Sequence, residues 1–285
     1  TQLRRALVVA QFAISIGLIV GAGVVSRQLD YALNKSLGFD PSDVVLVDLG
    51  LPESRQRFDI LRSELLPRGS VTAVTAGSIF PTQSLSDGAV FNRAQGNEQV
   101  SLATRRISVS DDYFDVLDMS FVAGRALDAD RPGDFMPNIG PENLEVSGGV
   151  VFNETAARAA GWNNPADAIG QSLYSEFGFG GLNFRMNYTV TGVVNDAHYG
   201  SIRGDIGPVS YTLDNGRRVL AVEAEPGAMS QALADIDQVW AAVVPVVPIR
   251  RQLLGCRPWR TLIPHSMPGK PGRLCCSSDS PASPS

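Results

Sequence analysis

Cysteine is almost missing from this chain of 285 residues: there are three, Cys256, Cys275 and Cys276, and all lie after residue 250. The part before them can hold neither a disulfide nor a zinc bound through cysteine, so if it is exported its apolar core must hold it together. Histidine is as scarce, with His198 and His265 far apart in sequence. Lysine occurs twice against 22 arginines, which points to a gene rich in G and C. The phosphate loop G-x-x-x-x-G-K-[ST] is absent, so the chain offers no nucleotide cradle of that kind. No G-x-S-x-G elbow supplies a hydrolase nucleophile. Positive charge is also short: residues 27–248 hold 16 Arg and Lys against 28 Asp and Glu, a net of −12. That balance excludes nucleic-acid binding led by phosphate contacts.

The remaining chemical candidates are weak. Gly178, Gly180 and Gly181 lie between strand-like segments and read as a hairpin tip. Asp196 and His198 stand two apart on a loop, a spacing more typical of a structural hydrogen bond than of a metal or acid–base pair. Asp111 and Asp112 are adjacent carboxylates that helix capping explains with less assumption than catalysis does. The expectation is a chain with no catalytic, metal or cofactor residues of its own.

What is present begins with an uncharged run, ALVVAQFAISIGLIVGAGVVS, at residues 6–26. A helix of that length covers roughly 30 Å, the thickness of a hydrocarbon core. The run exceeds the apolar region of a cleaved signal and lacks a clear small-residue cleavage site, so a retained transmembrane helix is expected. Arg4 and Arg5 precede it, which places residues 1–5 in the cytoplasm and everything after Arg27 outside. Ala13, Gly17 and Gly21 recur every four residues and form a candidate helix-packing face, with Gln11 and Ser15 favouring burial against protein.

Beyond the span, residues 27–38 read as a stalk helix carrying Leu29, Tyr31 and Leu33. The stalk ends in the turn Gly38, Phe39, Asp40, Pro41, where glycine permits a left-handed residue and proline prevents resumption. Residues 39–248 read as a packed domain. Strands are expected at 44–49, 71–77, 100–109, 121–125, 150–152, 188–194 and 219–223. Helices are expected at 53–66, after Asp111, after Asn153 up to Gly161, and at 227–243 with Met229, Leu233, Ile236 and Trp240 on one face. Residues 128–147 read as a polar loop. The last segment, 249–285, has six basic residues, one acidic residue, six Pro and six Ser, and reads as a disordered tail. Out-of-frame reading from near Pro248 and a genuine flexible tail both explain that composition.

Several stretches carry more than periodicity. LRRALVVAQFAISIGLIVGAGVVSRQLDYALNKSLGFDPSDVVLVDL, DDYFDVLDMSFVAGR, VVFNETAARAAGWNNPADAIGQSL and YTVTGVVNDAHYGSIRGDIGPV occur in an order that resembles a permease half of the MacB-like and FtsX-like ABC transporter family. The resemblance spans about residues 3–245. It implies an α+β fold, with one N-terminal transmembrane helix followed by a mixed α/β periplasmic core domain of two subdomains. It implies an inner-membrane location and no enzymatic activity in this chain. The partners it implies are a cytoplasmic ATP-binding subunit, other permease helices or a second permease copy, and a periplasmic adaptor. Such permease halves continue into three further spans, and none follows residue 26 here. The alternative is a singly anchored periplasmic binding or scaffold protein without transport.

Overall fold

The computed structural model describes residues 11–12, 15–24, 26–27, 43–81, 87–95, 98–199 and 205–254. The chain divides into two units, Thr1–Leu37 and Gly38–Ser285. In the first, residues 11–12, 15–24 and 26–27 are helical (α1), with Phe12, Ile16, Leu18 and Ile19 exposed and Ser15 donating to the Gln11 carbonyl. Among the described residues no helix is long and apolar enough to cross a membrane.

The second unit starts with strand β1 (Val44–Asp48). The amphipathic stretch expected as one helix at 53–66 is two: α2 (Pro52–Gln56) and α3 (Phe58–Leu65), broken at Arg57, whose backbone leaves the helical region at φ −98 and ψ 9. Strand β2 (Val71–Gly77) follows. Near the other end of the domain, β10 (Val219–Ala224) leads into α6 (Met229–Val243) and then β11 (Arg251–Leu253). These pieces form one sheet in the order β11-β1-β10-β2, each strand antiparallel to its neighbour. Two strand–helix–strand units interleaved in that order make a split βαβ, ferredoxin-like lobe.

Its core follows from helical spacing. Phe58, Leu61 and Leu65 of α3 and Ile236, Val239, Trp240 and Val243 of α6 pack on Val45, Val47, Val74, Leu220 and Val222 of the sheet. Met229 and Leu233 flank this core as the face reading of α6 requires.

The domain therefore does not stop at residue 248, and the boundary drawn there from composition is corrected. Val45, Leu46 and Val47 of β1 pair with Leu253, Gln252 and Arg251, and Leu254 is buried. Arg251, basic like the segment after it, lies against Asp237 at 2.5 Å and donates to the Leu233 carbonyl. Residues 255–285 lie outside the described residues.

Between β2 and β10 a second lobe is inserted. It comprises β3 (Gly88–Gln95), β4 (Glu98–Val109), α4 (Tyr113–Val116), β5 (Phe121–Gly124), β6 (Glu145–Asn153), α5 (Glu154–Ala159), a 3-10 turn (Pro165–Ala168), β7 (Ser172–Phe179), β8 (Leu182–Val194) and β9 (Val209–Leu213). Its pairings close on themselves, β4-β3-β7-β8-β6-β9 and back to β4, while β5 lies along β8. A separate core, with Phe91, Phe152, Leu173, Tyr188 and Val190, fills this lobe. Asn153 caps α5 as expected, its Oδ1 accepting from Ala156 and also from the Val209 amide.

The long polar loop is pinned by one buried carboxylate. Asp134 accepts both Arg125 terminal nitrogens, at 2.5 and 2.9 Å, and the Asp128 amide. Removing the arginine strands a buried charge, so Arg125→Leu should lower stability by about 2–4 kcal/mol in urea unfolding. A loss below about 0.5 kcal/mol would show that solvent replaces the guanidinium.

Candidate functional site at the junction of the two lobes

The ends of the first-lobe strands define its two poles. Val44 pairs with Glu223 and its carbonyl accepts from the Leu254 amide, so the chain enters and leaves that sheet side by side. At the opposite pole, Gly77 pairs with Val219, and there the second lobe departs and returns. Among the described residues, the strands of the two lobes pair with each other only at this junction.

The junction is narrow in its backbone and dense in its side chains. One residue pair, Gly77 with Val109, joins β2 to β4, flanked by Ser78 N to Ser108 O at 2.7 Å and Ser110 N to Ala76 O at 2.8 Å. The buried Ser110 hydroxyl lies 2.7 Å from that of Thr75 and accepts from the Ala76 amide. The ring of Tyr113 lies against Gly77, where an added Cβ would come within 2.8 Å of its Cε2. Its hydroxyl donates to the Ile79 carbonyl and lies 3.1 Å from that of Tyr199. Phe80 packs on one side of Tyr113, and Phe114 links it to Tyr211 and Phe121. Burial pushes the Tyr113 and Tyr211 phenols well above their ordinary range, so both stay neutral.

Arg62 of α3 ties this cluster to the first lobe through Asp112. Asp112 stands at the N-cap position of α4 but makes no capping hydrogen bond. Capping therefore does not explain it, and the ion pair does. Its pKa is raised, first by desolvation and then by Asp111, against the opposing pull of Arg62. Because the folded state holds this proton longer than the unfolded chain, Asp112 lowers stability as pH rises from about its unfolded value of 3.8 through the folded one. Asp112→Asn should flatten that acid-side fall when stability is compared by urea titration at several pH values.

The other residues singled out from sequence fall elsewhere. Gly17 and Gly21 sit on α1 with open space beside them. Ala13 and the turn Gly38, Phe39, Asp40, Pro41 lie outside the described residues. Asp196 holds the start of α5, accepting from the Thr155 amide and hydroxyl and from Arg158. His198 is buried. Gly180 and Gly181 form the two-residue β7–β8 turn, both at positive φ, the geometry that makes glycine the favoured residue in such hairpins. Among the described residues no cluster of three metal-ligating side chains occurs.

Comparison with known proteins decides the family. The model of the MacB-like periplasmic core domain matches residues 6–239. The chain belongs to this family. No curated protein matches it. Among solved structures, a domain from Porphyromonas gingivalis, named as coming from a permease protein, is similar at 15% identity and a TM-score of 0.42, covering 75% of this chain and 90% of that one. The extracellular domain of the noncanonic ABC-type transporter YknZ from Gram-positive bacteria is similar at 11% identity and a TM-score of 0.38, covering 70% and 92%. The matched residues take in the whole second lobe and, of the first, β1, α2, α3, β2, β10 and most of α6. The junction residues were missed in the sequence because VTAVTAG reads as an ordinary strand, and only a bulky aromatic facing its glycine marks the close approach.

Proposed function

We propose that this MacB-like domain is the periplasmic portion of an ABC transporter permease subunit, anchored by residues 6–26 and driven through the 27–38 stalk by a separate cytoplasmic ATPase. The work it serves is export, or extraction of a substrate from the membrane or periplasm. The observation that carries this reading is the side-by-side entry at Val44 and exit at Leu254, with the second lobe attached at the opposite pole. A domain looped out from a membrane subunit needs that arrangement. A displacement applied at the entry edge then runs outward along β1, β10 and β2, and through Arg62 of α3, to the junction.

The test uses the near-absence of cysteine. With Cys256, Cys275 and Cys276 replaced by Ser, a Val246→Cys variant, whose position is 82% exposed, is offered a membrane-impermeant maleimide in intact cells. Labelling without lysis, together with an ATPase that copurifies from detergent-extracted membranes, supports the reading. Gly38→Val, in a complete homologue, should then reduce both the stimulated ATPase rate and export. Copurification of a soluble periplasmic protein alone would favour the anchored scaffold.

A further inference from the structure

The geometry points to α4 as a wedge that locks the two lobes into one rigid lever, so that they do not open against each other. The lever part of this inference rests on the function proposed above; the rigidity does not. Each lobe has its own apolar core, and among the described residues a single strand pair, Gly77 with Val109, joins their sheets. By backbone alone such a joint is a hinge. The four residues of α4 change that, because Tyr113, Phe114 and Val116 are buried and grip both sides.

On the first-lobe side, the Tyr113 ring covers Gly77 and Asp112 receives Arg62 from α3, while the Tyr113 hydroxyl holds at 2.9 Å the carbonyl of Ile79, in the connection just past β2. On the second-lobe side, Phe114 meets Tyr211 of β9 at 5.1 Å and Phe121 of β5 at 5.0 Å, both edge-to-face. Rotating one lobe would strip these rings of their contacts. It would also pull the buried Ser110 hydroxyl from Thr75 and the Ala76 amide, leaving polar groups unpaired away from water. The open form is disfavoured by apolar and polar terms together, and the 12-residue strand β4, which starts at Glu98 and ends at the joint, carries the displacement into the second lobe.

Spin labels read this directly in the full-length chain in detergent, with the three native cysteines replaced by Ser. One label goes on α3 at Ile60→Cys and one on β3 at Val90→Cys, both about half exposed and each in a different lobe. Pulsed dipolar spectroscopy should give one narrow interlobe distance, unchanged when the copurified ATPase and ATP are added. Tyr113→Ala should broaden and shift it. Two distances in the otherwise unaltered chain, or a second one appearing with ATP, would overturn the lock. An unchanged narrow distance in Tyr113→Ala would overturn the role of α4. If that variant fails to fold, Tyr113→Leu, which keeps apolar bulk but loses the ring and hydroxyl, takes its place and is read identically. Because the chain is first measured alone, a broad distribution without any partner refutes rigidity, whereas a narrow one with no ATPase recovered refutes only the transport reading.

Discussion

Ending the chain at Pro248 should strongly destabilise the first lobe, whereas ending it at Leu254 should leave its stability unchanged. The six residues between complete a four-stranded sheet: β11 covers the outer edge of β1, Ile249 and Leu253 pack against the first core, and Leu254 and Gln252 are buried. Losing them exposes β1 as a bare edge and removes several apolar side chains, a cost of roughly 3–5 kcal/mol. That is a large part of the roughly 5–15 kcal/mol that typical domains possess. The Arg251 contact with Asp237 is lost too, but with Asp237 39% exposed it adds little.

Tryptophan fluorescence separates the lobes in this experiment. A chain ending at Leu254 keeps two tryptophans, Trp240 in the first core and Trp162 in the second. In the chain ending at Pro248, Trp240 should report unfolding at much lower urea than Trp162, because the second core has its own contacts. Equal midpoints for Trp240 in the two chains would mean that β11 is dispensable and that the composition boundary at 248 was sound. A loss confined to Trp240 instead places any change of reading frame beyond Leu254.

How much of this was legible in the sequence depended on whether a residue's environment was local. The β1, β2 and β10 strands and the apolar face of α6 show their periods because one face of each meets a single core. Gly180 and Gly181 were readable because a tight turn is a local demand. By contrast, β7 sets Leu173, Phe177 and Phe179 on one face yet buries only Leu173, so its alternation does not report which part of that face meets the core. All five residues of β9 are buried, which erases alternation. Strand β11 was hidden by its own arginine, whose partner Asp237 lies on a helix 14 residues earlier. The interleaved order β11-β1-β10-β2 was beyond periodicity altogether, since residues 78–218 separate its two halves. The junction was least legible, because its defining contact pairs a strand glycine with a tyrosine 36 positions on.

That contact yields the second large effect, and a test of its cause. Glycine inside a strand costs conformational entropy, so Gly77→Ala with free space beside it would stabilise the protein slightly. Here the new Cβ would sit 2.8 Å from Tyr113 Cε2 and 3.2 Å from the Ile79 carbonyl. The ring cannot retreat, because its hydroxyl is held by Ile79 and its face by Phe80. Gly77→Ala should therefore lose about 1–3 kcal/mol. Tyr113→Ala, which empties a fully buried site, should lose roughly 3–5 kcal/mol. If both losses arise from one contact they cannot add. With the ring already gone, the alanine at 77 meets only the Ile79 carbonyl at 3.2 Å and its cost should shrink, so the double variant should be at least about 1 kcal/mol more stable than the sum of the single losses. Strict additivity would assign the cost at Gly77 to the rigid Ile79 carbonyl instead, and the strand itself, not α4, would then set the close approach of the two lobes.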